Sequence, residues 1–239
     1  MLQNLNIDGR EISDNAPTYI IAEVSCNHEG NFDEAKRIVE AAASSGADAI
    51  KIQTLKPELS TRNFKGKMKG TIWEDVDLFE LCQKVYTPWE WTRDLQKTAR
   101  DLGMHFFSTP YDETAVDFLV DEVSVPALKV ASFEITDTKL LAKMAKTGLP
   151  IIMSNGMTDY LELDEAVRTL RDNDCRELGL LHCNSGYPAA FDEANLKTIP
   201  VIRELFGCVV GVSNHTLFAD HENWQNPMPH ITPVEAVKL

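Results

Sequence analysis

The chain has 239 residues with 44% hydrophobic content, enough for one α/β barrel with a full core. Its formal net charge of −14 argues against non-specific binding to nucleic acid or to an anionic membrane surface, and leaves room for a local basic pocket. The five cysteines (26, 82, 175, 183, 208) are odd in number and lack CxxC spacing, no signal-peptide layout opens the chain and no apolar run reaches membrane-spanning length. Reduced thiols in a soluble cytoplasmic protein are therefore expected.

Residues Leu2 to Ser13 alternate weakly around Asp8-Gly9, a hairpin turn signal, and are expected to form a small N-terminal cap over residues 1–16. A strand–helix pattern then repeats. Strands are expected at Tyr19–Val24, Ala49–Gln53, Met104–Phe107, Leu128–Ala131, Pro150–Met153, Leu178–His182 and Cys208–Val212. Helices are expected at Phe32–Ser45, from Thr87 to Leu102, and at Asp112–Val120, Lys139–Lys146, Tyr160–Arg171 and Asn195–Leu205. Lys56 to Tyr86 reads as a long polar excursion. Thr87-Pro88-Trp89-Glu90 reads as an N-cap, a Pro in the first turn and an acidic first turn. Gly46, Gly103, Gly148 and Gly207 sit where helices should end. Alternating strands and helices imply a parallel sheet with right-handed crossovers. Seven such units head towards a (β/α)8 barrel that stops before strand eight, filling residues 17–239 as one domain.

Each strand ends in polar residues, on the side where barrels of this kind build their sites. Strand one gives Glu23, Ser25, Asn27 and His28; strand two gives Lys51 and Gln53, two apart and so on one face. Strand three gives Ser108-Thr109-Pro110, strand five Ser154-Asn155-Gly156, strand six His182, Asn184, Ser185 and Tyr187, and strand seven Ser213, Asn214 and His215. Strand four, in Ala127-Leu-Lys-Val-Ala-Ser-Phe-Glu134, carries a lysine inside an apolar run, followed by Ser132 and Glu134. A parallel strand buried on both faces should be nearly all aliphatic, and an ammonium there is costly unless an anion meets it. Lys129, Ser132 and Glu134 therefore mark the lip of an anion pocket; the competing reading is a lysine snorkelling from a strand end.

Lys51 and Lys129 could converge on a phosphate or carboxylate. Ser132, Ser154, Ser185 and Ser213, with the Thr109 backbone, could supply neutral donors. Glu23 and Glu134 suit proton transfer or the gripping of hydroxyls. His215 suits a divalent metal, with a hydrogen-bonded structural imidazole as the alternative. Each serine has a turn or helix N-cap as its alternative, and Ser154 fits that role well.

Several stretches resemble the nonulosonic (sialic) acid synthases: Ile21-Ala-Glu-Val-Ser-Cys-Asn-His-Glu-Gly30, Gly46-Ala-Asp-Ala-Ile-Lys-Ile-Gln53, Phe107-Ser-Thr-Pro-Tyr-Asp112, Lys129-Val-Ala-Ser-Phe-Glu134, Ser154-Asn-Gly-Met157, His182-Cys-Asn-Ser-Gly-Tyr-Pro188, Asn195-Leu196 and Gly211-Val-Ser-Asn-His-Thr216. Gly70-Thr-Ile-Trp73, Tyr86-Thr-Pro-Trp-Glu-Trp91 and Ser132-Phe-Glu-Ile-Thr-Asp137 look most like the pseudaminic acid synthases, with N-acetylneuraminate and legionaminate synthases as runners-up. The resemblance implies a TIM barrel that condenses phosphoenolpyruvate with an N-acylated amino-sugar aldehyde, phosphate leaving by C–O cleavage. It implies a divalent metal, typically manganese with magnesium as the alternative, and a homodimer. It places Lys51, Thr109, Lys129, Ser132, Ser154, Ser185 and Ser213 at the phosphoenolpyruvate pocket, with Glu23, Gln53 and Tyr187 at sugar-contacting positions. Glu134 falls at a catalytic carboxylate, beside catalytic roles for Glu23, Lys51 and Lys129, and His215 at a metal ligand.

The chain departs from the family pattern in Ser213-Asn-His-Thr216, usually Ser-Asp-His-Thr, and in Ser154-Asn-Gly-Met157, usually Ser-Thr-Gly-Met. Leu217 to Pro233 is unlike the family's short connection, and Pro233-Val-Glu-Ala-Val-Lys-Leu239 resembles the helix before strand eight. The eighth strand with its second metal histidine, and a C-terminal antifreeze-like domain, are expected to be absent; His221 and His230 stand as weak substitutes for that ligand. Two other readings stay open. One is a non-catalytic member that still folds or dimerises. The other is a 3-deoxy-octulosonate phosphate synthase-like aldolase barrel, which would need an arginine-rich phosphate site beyond Arg62 and Arg93.

Overall fold

A computed structural model of the protein describes residues 4–60, 77–186 and 189–215. The chain divides into two compact units, one made of Tyr19–Lys129 with Ile7–Arg10, the other of Val130–Leu239 with Met1–Asn6 and Glu11–Thr18. All seven expected strands are present, and all parallel pairings resolved within each unit follow chain order.

The N-terminal hairpin pairs β1 (Leu5–Ile7) with β2 (Arg10–Ile12). Its turn sets Asp8 and Gly9 both at positive φ, 50° and 85°. That is the backbone an Asp-Gly two-residue loop is suited to. Leu5 is buried against Gly179, and the Asn6 N–H donates to the Glu177 carboxylate at 2.6 Å.

The first unit runs β3 (Ile21–Glu23), α1 (Phe32–Ser44), β4 (Ala49–Thr54), α2 (Pro57–Ser60), α3 (Leu78–Val85), a 3-10 turn at Trp89–Trp91, α4 (Thr92–Asp101), β5 (His105–Pro110), α5 (Glu113–Asp117) continued by a π-helical turn to Val123, and β6 (Leu128–Val130). β3 pairs with β4, β4 with β5 and β5 with β6, all parallel. Phe106 to Pro110 are buried without a break, as expected of a parallel strand covered on both faces. Asn31 opens α1 by accepting the Asp33 and Glu34 N–H groups. The polar excursion is not structureless: α2 and α3 lie in it, and Asp77 caps α3. The expected Gly70–Trp73 motif and Arg62 lie outside the described residues.

The expected cap at Thr87 is corrected. Pro88 precedes the 3-10 turn with no side-chain cap, and the buried Thr87 hydroxyl goes to His28 instead. His28 Nδ1 accepts the Gly30 N–H at 3.0 Å, so Nε2 carries the proton and donates to Thr87 Oγ1, also at 3.0 Å. The fully buried ring packs edge-on to Trp91. Burial holds its pKa below the ordinary imidazole value. The neutral form is thus favoured by folding. Stability from this ring is complete above the unfolded pKa of about 6.5 and is lost as pH falls below it. Thermal unfolding from pH 8 to pH 5 should show a falling midpoint that is flatter in His28→Gln, which keeps a donor and an acceptor. Equal slopes in both proteins would rule this out.

The second unit runs α6 (Thr138–Ala145), β7 (Ile151–Ser154), α7 (Tyr160–Asp172), β8 (Leu178–Cys183), a 3-10 turn at Phe191–Glu193, α8 (Thr198–Phe206) and β9 (Val209–Ser213). β7 pairs with β8 and β8 with β9, again parallel. Its core includes Leu141, Met144, Ile151, Met153, Leu170, Leu180 and Ile202. Asp159 and Glu162 form a capping box on α7 and Asp137 caps α6, so neither Ser154 nor Ser132 serves as an N-cap. The helix expected from Asn195 starts three residues later, because Asn195 itself turns at φ 45°. Gly207 ends α8 at φ 62°, a conformation costly for a side chain with Cβ.

Candidate active site

In the first unit the strand register fixes which side chains share a face. β3–β4 sets Glu23 beside Lys51, and β4–β5 sets Lys51 beside Phe107 and Gln53 beside Thr109. β5–β6 sets Ser108 beside Leu128, which carries Thr109 beside Lys129. Glu23, Lys51, Gln53, Thr109 and Lys129 therefore lie on one face, near the C-terminal ends of β3 to β6. Lys51 and Lys129 are one strand apart, with Thr109 between them. Lys51 Nζ donates to Thr109 Oγ1 at 3.1 Å and forms an ion pair with Glu23. The second Glu23 oxygen accepts the Ser25 N–H at 2.9 Å, reached because Ser25 takes φ 49°. Lys129 is 5% exposed and the Lys51 side chain 12%, so neither ammonium is a surface group. Snorkelling to solvent is excluded for Lys129. Of the two arginines considered for a phosphate, Arg93 is described; it is exposed and pairs with Glu122 at 3.3 Å.

In the second unit Ser132 and Ser154 are buried, and Ser132 Oγ lies 2.8 Å from Ser185 Oγ. Register sets Cys183 beside Ser213. Cys183 Sγ lies 3.7 Å from Ser185 Oγ and 3.6 Å from His215 Nδ1. Burial pushes the Cys183 thiol up, but the hydrogen bond of His215, helped by Ser185 and Ser213, brings it net below its usual value. Gly156 closes over this group: a Cβ there would stand 2.4 Å from Ser185 Oγ and 2.8 Å from the Cys183 carbonyl. Glu134 is half-buried in the turn after β6, its N–H bonded to the Ala131 carbonyl.

The metal reading can be tested on His215. Its Nδ1 lies 2.8 Å from the Asn184 carbonyl, which can only accept, so Nδ1 carries the proton and Nε2 keeps its lone pair. That is the arrangement of a metal-binding imidazole oriented from behind. The residues fit to the extent of one ligand, since no group of three His, Cys, Asp or Glu able to hold a metal occurs among the described residues.

Residues 38–222 match the sequence model of the NeuB family. The chain belongs to the NeuB family. It is 39% identical to pseudaminic acid synthase of Helicobacter pylori over 204 residues, covering 84% of this chain and 60% of that protein. It superposes on the N-acetylneuraminic acid synthetase of Leptospira borgpetersenii with a TM-score of 0.80 at 30% identity, covering 90% of this chain and 71% of that one. A truncated 3-deoxy-D-arabino-heptulosonate 7-phosphate synthase of Thermotoga maritima gives 0.62 at 12% identity, a likeness of fold alone. The fold is α/β, of the TIM-barrel type. The chain spans about three fifths of the length of the H. pylori relative.

Of the site residues expected from the sequence, Glu23, Lys51, Gln53, Thr109 and Lys129 lie in the first unit, and Ser132, Glu134, Ser154, Ser185, Ser213 and His215 in the second. Tyr187, His221 and His230 lie outside the described residues. Sequence reasoning missed the Asn184 carbonyl, Gly156 and Cys183. A backbone carbonyl leaves no mark in sequence; the two others stood inside quoted motifs, and a glycine between two site strands was the available signal.

Proposed function

We propose that this chain is the catalytic-barrel part of a nonulosonate synthase, of pseudaminate or N-acetylneuraminate type, that condenses phosphoenolpyruvate with an N-acylated amino-sugar aldehyde and releases phosphate. The observation that carries the proposal is the buried Lys129 ammonium on the same strand face as Lys51 and Thr109. Two buried ammonium groups flanking a hydroxyl suit a dianionic phosphate ester, whose charge offsets their desolvation. In this reading Lys51, Thr109 and Lys129 hold the ester, and Ser132, Ser154, Ser185 and Ser213 donate neutral hydrogen bonds. Glu23, Gln53 and Tyr187 contact the sugar, and Glu134 is the catalytic carboxylate. His215 would hold a divalent metal, manganese first, whose Lewis acidity polarises the aldehyde. Five free cysteines fit a reducing cytoplasm, and we place the protein there as a homodimer.

Phosphate release with phosphoenolpyruvate, manganese and candidate N-acetylated hexosamines is the deciding assay. Release that depends on both substrates supports the synthase; phosphoenolpyruvate binding without release marks a folded module without turnover. The Lys51–Glu23 pair yields a second expectation. Glu23 competes with an anionic ligand for Lys51, so Glu23→Gln should tighten phosphoenolpyruvate binding by up to about 5-fold, the size of a half-exposed ion pair. The same variant should lose sugar-dependent turnover. Weaker phosphoenolpyruvate binding in Glu23→Gln would contradict this division of roles.

A further inference from the structure

On the other face of the β8–β9 pair from Cys183 and Ser213 lies His182, paired in register with Val212. It is 9% exposed. Its Nε2 lies 2.8 Å from the Ala194 carbonyl, an acceptor only, so Nε2 carries the proton. Nδ1 then holds a bare lone pair, and among the described residues no hydrogen bond reaches it. An unmet buried acceptor of this kind is uncommon and calls for a partner. His182 also lines a small pocket of about 10 Å³, close to what one water needs, shared with Asn184, Ala194, Leu196 and Asn214 and bordered by Ser213 and His215 of the candidate site.

We propose that this cavity is a one-water site, the water donating to His182 Nδ1, and that His182 is a positioning residue for the segment after β8. The segment leaves β8 at Asn184 and returns at Ala194. Its return is held by the His182 bond to Ala194, by Asn184 Nδ2 donating to the Glu193 carbonyl at 3.2 Å, and by the Ala189 N–H donating to the His215 carbonyl at 3.0 Å. His182 thus ties the far end of the loop to the strand whose next residues meet Ser185 and His215. A water on Nδ1 locks the ring in the tautomer that makes this tie. That the loop also carries Tyr187 matters only if the synthase reading holds; the tie itself does not depend on it.

The test uses the whole chain and needs no substrate. Ring-nitrogen NMR of ¹⁵N-histidine-labelled protein should find His182 with its proton on Nε2 and a hydrogen-bonded Nδ1. A crystal structure with ordered solvent should show one water within hydrogen-bond reach of Nδ1. His182→Phe fills the cavity and removes the donor, and amide exchange over residues 189–195 should quicken about 10-fold. His182→Gln, which keeps a donor and an acceptor, should hold the parent rate. A proton on Nδ1, a dry cavity in well-ordered density, or unchanged exchange in His182→Phe each overturns the proposal. If His182→Phe does not fold, the tautomer and the density decide on the parent protein.

Discussion

Lys129→Met is expected to weaken phosphoenolpyruvate binding by about 30-fold or more, measured by calorimetric titration of the folded variant. A hydrogen bond to a charged group contributes ~2 kcal/mol, and under the proposed function the donor is a buried ammonium that would face a dianion. The effect should exceed that of Lys51→Met. Lys129 lies deeper, at 5% exposed, than Lys51, whose side chain is 12% exposed and whose Glu23 partner is 36% exposed. Methionine nearly matches the lysine stem in volume, so packing changes little and the lost term is the charge. An unchanged affinity in Lys129→Met would remove the lysine from the anion site. An equal loss in both variants would instead mean that Glu23 gives up Lys51 entirely when the ester binds.

That ordering could not have come from sequence. The apolar run around Lys129 left two readings, a buried lysine that needs an anion and a lysine snorkelling from the strand end, and its burial decides for the first. The spacing of Lys51 and Gln53 announced a shared face. That Glu23 meets Lys51 depends on β3–β4 register, a long-range pairing that no local pattern encodes. The strands and helices were legible because the strands are short apolar runs and five of the helix starts carry a side-chain oxygen, while α4 and α8 start without one. Asn31, Asp77, Asp112, Asp137 and Asp159 all accept N–H groups at helix starts. Thr87 broke that rule because a buried histidine nitrogen from another segment claimed its hydroxyl. The serines show the converse. Each could have been an N-cap on local grounds, and only the presence of an aspartate cap nearby frees Ser132 and Ser154 for other work.

Gly156→Ala tests the second unit with a single methyl group. The added Cβ would lie 2.4 Å from Ser185 Oγ, 2.8 Å from the Cys183 carbonyl oxygen and 3.0 Å from Cys183 Sγ. A serine hydroxyl can rotate away, but doing so breaks its 2.8 Å contact with Ser132. The carbonyl cannot rotate, because Cys183 is held in the β8–β9 ladder and its N–H is taken by Asn155 Oδ1 at 3.1 Å. Overpacking of this kind costs about 1–3 kcal/mol, which for a chain of this size lowers the unfolding midpoint by roughly 2–10 °C. Because the strain falls on Ser185, phosphoenolpyruvate affinity should drop as well, by about 10-fold for one lost neutral donor. Ser185→Ala should reproduce the affinity loss without the full stability loss. In the double variant the alanine Cβ at 156 no longer faces a hydroxyl at 2.4 Å, so part of the lost midpoint should return. A Gly156→Ala protein with the parent's midpoint and affinity would mean that the β7 and β8 ends are free to separate, and that Ser185 does not sit where its contact with Ser132 puts it.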